Sequence, residues 1–340
     1  MLLVLFLVAF LVNGCIPGPT AVFSEGTFLL STYSGIYAFD SERISAKELL
    51  RNRLTGRDEI AYEHGIISPD RKAFCVIARS PRGEDVGGGV NAIELLTPQL
   101  TERRRLILPD DSISWQTGFL PDSTMIWALS DAATNPLDLL VYSKEGPPET
   151  RQHLLLLDLD SDNRIEIDMD SLGDSFVYYV SVSPGGHRLA LSTVDKANRA
   201  TSLVIADLAS GQIRSPLSAI TSGSSADGVG EPIKGLIYGH AWLAEDRLVM
   251  YALNEDYPLN ADGVLYETRV SKDASIVTTR IGNARGNPTV NPQHDEYAVF
   301  VQQDNNRILR ILSMNNLRLE DVSLGNTDTS QTSLINWSSP

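Results

Sequence analysis

The side chains of this 340-residue chain best suited to moving protons or holding a metal are five histidines, His64, His153, His187, His240 and His294. They are scattered, and no two stand in the HExxH pattern that sets two imidazoles and a glutamate on one helix face. Asp158, Asp160 and Asp162 fall at the first three ligand positions of a calcium loop, and Ile165 at its apolar position. Asn163 stands where that loop needs glycine, however, and Met169 where it needs a bidentate glutamate, so a hairpin turn is the competing reading. No GxSxG is present to place a nucleophilic serine on a sharp turn. The glycines of "GEDVGGG" (83–89) lack the GK[ST] of a phosphate-binding loop, and a plain loop is expected there. Of the two cysteines, Cys75 sits in the strand-like run "KAFCVIA", where a thiol serves as a small buried hydrophobe. No cofactor is expected from these residues.

The elements that would position such groups are strands. A composition of 42% hydrophobic and 21% charged residues suits a chain with a sizeable core. A net charge of -15 argues against nucleic acid and anionic headgroups as partners, because both are gripped by clustered Lys and Arg. The one arginine-rich run, "ERRRLIL" (102–108), has acidic company and reads as a solvated strand edge. Leu2 to Val12 are eleven consecutive apolar residues, too few for a spanning helix but apt for the core of an export signal. With only Cys15 and Cys75, a disulfide framework is ruled out.

One unit recurs: "IISPDRKAFCVIA" from Ile66, "GFLPDSTMIWALS" from Gly118, "VSVSPGGHRLALST" from Val180, "HAWLAEDRLVMYAL" from His240 and "TVNPQHDEYAVFVQ" from Thr289. Each is an apolar stub, a turn and an alternating strand, which is hairpin logic: proline presets φ and small polar residues take the bend. The turn positions Pro69, Pro121, Pro184, Ala244 and Pro292 lie 52, 63, 60 and 48 residues apart, room for four short strands per unit. Second hairpins follow, most clearly from Leu154 and Leu203, with weaker equivalents from Gly263 and Arg307. The one helix expected is a short surface turn over Ser45 to Leu54, where Ser45 and Glu48 fit a capping box. "INWSSP" at the C-terminus reads as the innermost strand and opening turn of a sixth unit, which "SEGTFLLSTYSGIYAFDSE" from Ser24 continues. The expected fold is therefore all-β, a six-bladed β-propeller over 24–340 whose last blade joins one C-terminal strand to three N-terminal ones, leaving no open edge. His64 and His240 would then lie just before innermost strands, where side chains can face a central channel. Of the aromatics, Tyr33, Trp115, Trp127, Tyr179, Tyr251 and Tyr257 should mostly fill blade cores.

The repeats, with their "SPD" and "NWSSP" elements, resemble the PD40 (WD40-like) repeats of the TolB family of periplasmic six-bladed propellers, over roughly residues 24–340. Set against that family, no separate N-terminal domain is expected in this sequence, and several of its repeats are degenerate. The tetrad "VNGC" ahead of Pro17 is similar to a bacterial lipobox. It implies a signal peptide over 1–14, lipidation at Cys15 and a tether over 15–23, although no basic residue precedes the apolar run; an ordinary cleaved signal and an uncleaved anchor are the alternatives. The resemblance implies a monomeric, lipid-anchored envelope protein that binds other envelope proteins without catalysis. The competing functions are a propeller enzyme, a peptide hydrolase or carbohydrate lyase acting through the channel with His64 and His240, and a small-ligand or metal-binding propeller. Long connections at Ser80 to Gly89, Asp131 to Glu149, Asp195 to Ala200, Ser215 to Gly235 and Asn254 to Asp262 should gather on one face, where binding is expected.

Overall fold

The computed structural model describes residues 23, 27–32, 34–39, 46–53, 60–79, 91–97, 99–100, 102–107, 113–131, 152–161, 163–195, 200–209, 212–221, 233, 235–253, 263–270, 276–284, 288–291, 295–303, 306–313, 319–322 and 334–337. Among them, alternating and β-branched runs form twenty-four strands in six four-stranded antiparallel sheets. The first sheet holds β1 (Phe28–Thr32), β2 (Gly35–Phe39) and β3 (Ala46–Arg51). β4 (Ala61–Ile67), β5 (Phe74–Arg79), β6 (Asn91–Leu96) and β7 (Glu102–Ile107) make the second. The third is β8 (Ile113–Phe119), β9 (Met125–Asp131), β10 (Gln152–Asp158) and β11 (Arg164–Ile167). β12 (Ser175–Val182), β13 (Arg188–Asp195), β14 (Thr201–Ala209) and β15 (Gln212–Thr221) form the fourth. β16 (Leu236–Ala244), β17 (Arg247–Leu253), β18 (Gly263–Val270) and β19 (Ile276–Ala284) form the fifth. β20 (Thr289–Asn291), β21 (Glu296–Gln303), β22 (Asn306–Ser313) and β23 (Leu319–Val322) form the sixth. β24 (Leu334–Trp337) returns to the first sheet and pairs with β1, Phe28 opposite Trp337 and Leu30 opposite Ile335.

Burial explains the two kinds of sequence pattern. β5, β13 and β17 are almost wholly buried, because a second strand has a sheet packed on each face; outer β11 and β19 alternate or face water, and they carry the exposed Ile165 and Val277. Among the described residues, six apolar clusters each bridge two sheets. Cys75 and Ile93 meet Phe119 and Ile126; Leu129 and Leu154 meet Val180 and Leu189; Ala190 and Leu203 meet Trp242 and Met250. Val249 and Tyr251 meet Tyr297 and Val299, and Leu29 and Ile36 meet Phe74 and Val76. The remaining cluster joins Phe300, Leu309 and Ile311 of the sixth sheet to Phe28, Leu30 and Phe39 of the first.

All five recurring hairpins appear as expected, and the "ERRRLI" run is the outer strand β7. The helix expected over Ser45 to Leu54 is instead strand β3, paired with β2. A bulge opposite Ile36 and Tyr37 lets Leu49 turn inward to the core, while Glu48 stays outside and binds Arg51 and the Tyr37 hydroxyl; this sheet contact outweighs a marginal helical preference. The connection placed at Ser215 to Gly235 begins later than expected, since β15 pairs with β14 out to Thr221. Trp127 and Tyr251 are core residues, and the side chains of Tyr33, Trp115 and Tyr257 lie outside the described residues. No helix among the described residues is long and apolar enough to cross a membrane.

Candidate functional site

His64 lies within β4, at a bulge between Glu63 and Ile66, with φ of 53°. A non-glycine residue in this left-handed region is strained, and the bulge re-aims its side chain. Burial, with the nearby Arg79 guanidinium second, lowers its imidazole to a pKa of about 3. His240 lies within β16 and is fully buried, so both histidines stand inside the first strand of their sheets and not ahead of it, because β4 and β16 begin earlier than the hairpin repeats suggest. His240 Nδ1 is 2.7 Å from Ser181 Oγ of β12, the Tyr179 ring meets the imidazole edge-on at 5.0 Å, and its Nε2 has no hydrogen-bond partner among the described residues. Burial again lowers the pKa to about 3. Among the described residues no hydrogen bond or ring contact joins the two histidines. A useful general base titrates near neutrality, and these imidazoles are neutral and poorly basic there. Cys75 is likewise withdrawn: buried beside Thr117 Oγ1 at 3.9 Å, its thiol is pushed up to about 12.

The aspartate run resolves as a turn. Asp158 Oδ1 accepts hydrogen bonds from the Asp160 and Ser161 amides at 2.8 and 2.7 Å, and these hold its carboxyl below the usual range. Asp158 also donates its amide to Asn163 O, closing the hairpin between β10 and β11. Asp160 is exposed, and Asp162 lies outside the described residues. So do Cys15, residues 80–89, 132–149 and 254–262, and most of 222–235.

The repeated turns do something that their sequences did not reveal: they hook adjacent sheets together. The Asp70 amide donates to Ser123 Oγ at 3.1 Å. Glu245 accepts from Ser183 Oγ at 2.9 Å and from the Gly185 amide, while Arg188 Nη1 reaches Glu245 O at 3.1 Å. Arg247 pairs with Asp295. The degenerate fifth-sheet turn is explained here, since without proline it tightens to Glu245 and Asp246 and aims the glutamate at its neighbour. Gly118 has a comparable reason, because the Trp127 indole lies across it and a Cβ would come 2.5 Å from Nε1.

The opposite ends of the strands carry a recess of about 220 Å³. Two chain entries frame it: Gln152, where β10 begins, and Ser175, where β12 begins. Gln152 clamps β12 through both halves of its amide, Oε1 accepting from Val177 N at 2.7 Å and Nε2 donating to Val177 O at 2.6 Å. Ile167 and Phe176, almost wholly buried, and half-buried Met169 and Leu172 lie behind it. Exposed Glu166, Asp168 and Asp170 supply the rim. A one-turn 3-10 helix, Asp170–Leu172, shapes the linker, and Gly173 leaves it at φ 61°. His153 Nδ1 lies 2.7 Å from Glu166 Oε1 and steadies that carboxylate. Sequence reasoning passed over these residues; the signal was the acidic linker "DMDSLGD" (168–174) between two repeats.

No family model and no curated protein sequence matches the chain. Solved structures do match. TolB from Acinetobacter baumannii aligns over 98% of this chain and 71% of its own, at 13% identity and a TM-score of 0.55. A putative TolB from Agrobacterium tumefaciens covers 88% of each chain at 11% identity and 0.52. A chain of a nidogen–laminin complex covers 92% of this chain and 98% of its own at 11% identity and 0.57. At such identities the likeness is one of fold: the chain has a TolB-like β-propeller fold.

Proposed function

We propose that this chain is a non-catalytic, lipid-anchored protein of the bacterial cell envelope whose propeller is a docking platform for a partner protein. The propeller has six blades, closed by one C-terminal and three N-terminal strands; the β24–β1 pairing and the cluster that packs the sixth sheet on the first support this closure. A signal over 1–14, lipidation at Cys15 and a tether over 15–23 would hold it at the membrane, as the "VNGC" tetrad suggests. Docking uses the face of the long connections and favours a basic or neutral partner, given the net charge of -15.

The observation that carries this reading is a division of labour. Cys75 and His240 are sealed in the core, and the half-buried His64 imidazole is lowered to a pKa of about 3, whereas a concave, acid-rimmed surface opens outward where β10 and β12 begin. The TolB-like fold, and the presence of a similar fold in a nidogen–laminin complex, fit a binding role. Intact-mass measurement of protein from bacterial membranes, followed by crosslinking of the same sample, tests it. A mass starting at Cys15 with acyl groups and one discrete crosslinked partner is expected; a soluble, unmodified and partnerless species refutes it. The Ser181–His240 contact favours a channel hydrolase as the second reading, which turnover by the wild type and its loss in His240→Asn on a peptide and glycan panel would establish.

A further inference from the structure

Among the described residues, each of the six sheets has one end strand that pairs on a single side: β3, β7, β11, β15, β19 and β23. The opposite end strands, β4, β8, β12, β16, β20 and β24, lie against one another instead. A strand paired on one side offers a row of N–H and C=O groups to any further strand, the same strand of a second copy of this chain included. We infer that these outer edges are built to refuse strand addition, and that Pro216 guards the longest of them, the ten-residue β15, against pairing with a second copy, a property independent of the docking role proposed above.

Five of the edges are short, charged or bent. β11 and β23 have four residues each, two of them charged: Arg164 and Glu166 in one, Glu320 and Asp321 in the other. β3 exposes Lys47, Glu48 and Arg51 and carries the bulge opposite Ile36 and Tyr37. β7 opens with four consecutive charged residues, Glu102 to Arg105, and has Arg103 as an extra residue between the pairs at Leu95 and Leu96. β19 is nine residues long, but Ile281 is an extra residue between the pairs at Leu265 and Tyr266, which bends the edge next to exposed Arg280. β15 has little charge to protect it, since Arg214 is its single ionisable residue. Its protection lies in the backbone. Arg214 pairs with Asp207 and Ser218 with Ile205, so Ser215, Pro216 and Leu217 stand opposite Ala206 alone. Two surplus residues break the ladder there, and the proline among them has no N–H to offer to either side. Without Ser215 and Pro216, Leu217 would stand opposite Ala206 and the pairing would run unbroken from Gln212 to Thr221, because a shift of two residues preserves the alternation of the strand.

The test compares the full chain with a variant lacking Ser215 and Pro216, by sedimentation velocity at about 100 µM, within the range where unpaired strand edges associate. The wild type is expected to sediment as a monomer and the deletion variant mostly as a dimer. Hydrogen exchange should then show new protection in the dimer confined to residues 212–221. Pro216→Thr keeps the chain length and restores one backbone donor, so it serves as the second variant if the deletion does not melt cooperatively; its self-association is expected to be about tenfold stronger than that of the wild type. Pro184→Thr removes a proline from an exposed turn away from the outer edges and should leave the chain monomeric. Variants that fold and stay monomeric overturn the inference, and so does a wild type already paired through β15. Dimers whose new protection lies outside residues 212–221, or equal association by Pro184→Thr, overturn it as well.

Discussion

Deleting residues 334–340 should open the molecule at one seam. β24 pairs with β1 at Phe28, Leu29, Leu30 and Ser31, and the first three of these are 1%, 1% and 0% exposed. Four paired residues correspond to about four ladder hydrogen bonds, each with a net value of about 1 kcal/mol, so the lost pairing costs about 4 kcal/mol. Partial exposure of three large apolar side chains adds about 2 kcal/mol. The sum, about 6 kcal/mol, is comparable with the whole stability of an ordinary domain. At roughly 1–3 °C per kcal/mol for a chain of this size, the midpoint should fall by about 10 °C. Scanning calorimetry of the truncated and full chains measures this, and a synthetic peptide covering 330–340, added in excess, should recover most of the loss by refilling the vacant edge. A midpoint within about 2 °C of the full chain would refute the closure argument, because an end strand whose removal is harmless closes nothing.

Three further outcomes follow from the geometry. Glu245→Ala should destabilise the chain by about 1–3 kcal/mol in urea melts, since the Ser183 hydroxyl and Gly185 amide lose their acceptor; Asp246→Ala, one residue away and exposed, should stay within about 0.5 kcal/mol. Cys75 should resist a thiol reagent in the native protein at neutral pH and react only on unfolding, since burial raises its pKa to about 12; native labelling at the rate of a free thiol would contradict this. His240 titrates near 3 when folded and near 6.5 when unfolded, so the unfolded chain binds the extra proton between those values. Stability tied to His240 is therefore fully present above about pH 6.5 and is lost progressively as pH falls towards 3, by an amount on the order of a few kcal/mol. Chemical denaturation across that window should show the slope, and His240→Asn should flatten it.

Much of the fold could be read from the chain because hairpins are local. The Pro-centred turns at 69, 121 and 184 join strands only a few residues away, so the sequence of each turn carries its own geometry. The pairing of "INWSSP" with the N-terminal strands was legible for another reason, since a strand without a local partner in a repeating array calls for a distant one. The helix expected over Ser45 to Leu54 failed because a ten-residue amphipathic segment is marginal alone, and the free edge of β2 with a core site for Leu49 decided its form. The candidate site was less legible than the fold. His64 and His240 look alike in sequence, yet one sits strained at a bulge beside Arg79 and the other is sealed between β12 and β16. The recess arises where Gln152, Glu166 and Phe176, on three strands of two sheets, converge.

Sequence by itself determined the period, the strand-and-turn alternation, the acidity and the two-cysteine economy, because these are properties of composition and of contacts between near neighbours. Tertiary structure decided which polar groups remain available. Burial lowers or raises a pKa only once the packing of other strands is set, and the Glu245 hook, the withdrawn Cys75 and His240, and the acid-rimmed recess all depend on partners that lie dozens of residues away or on a separate sheet.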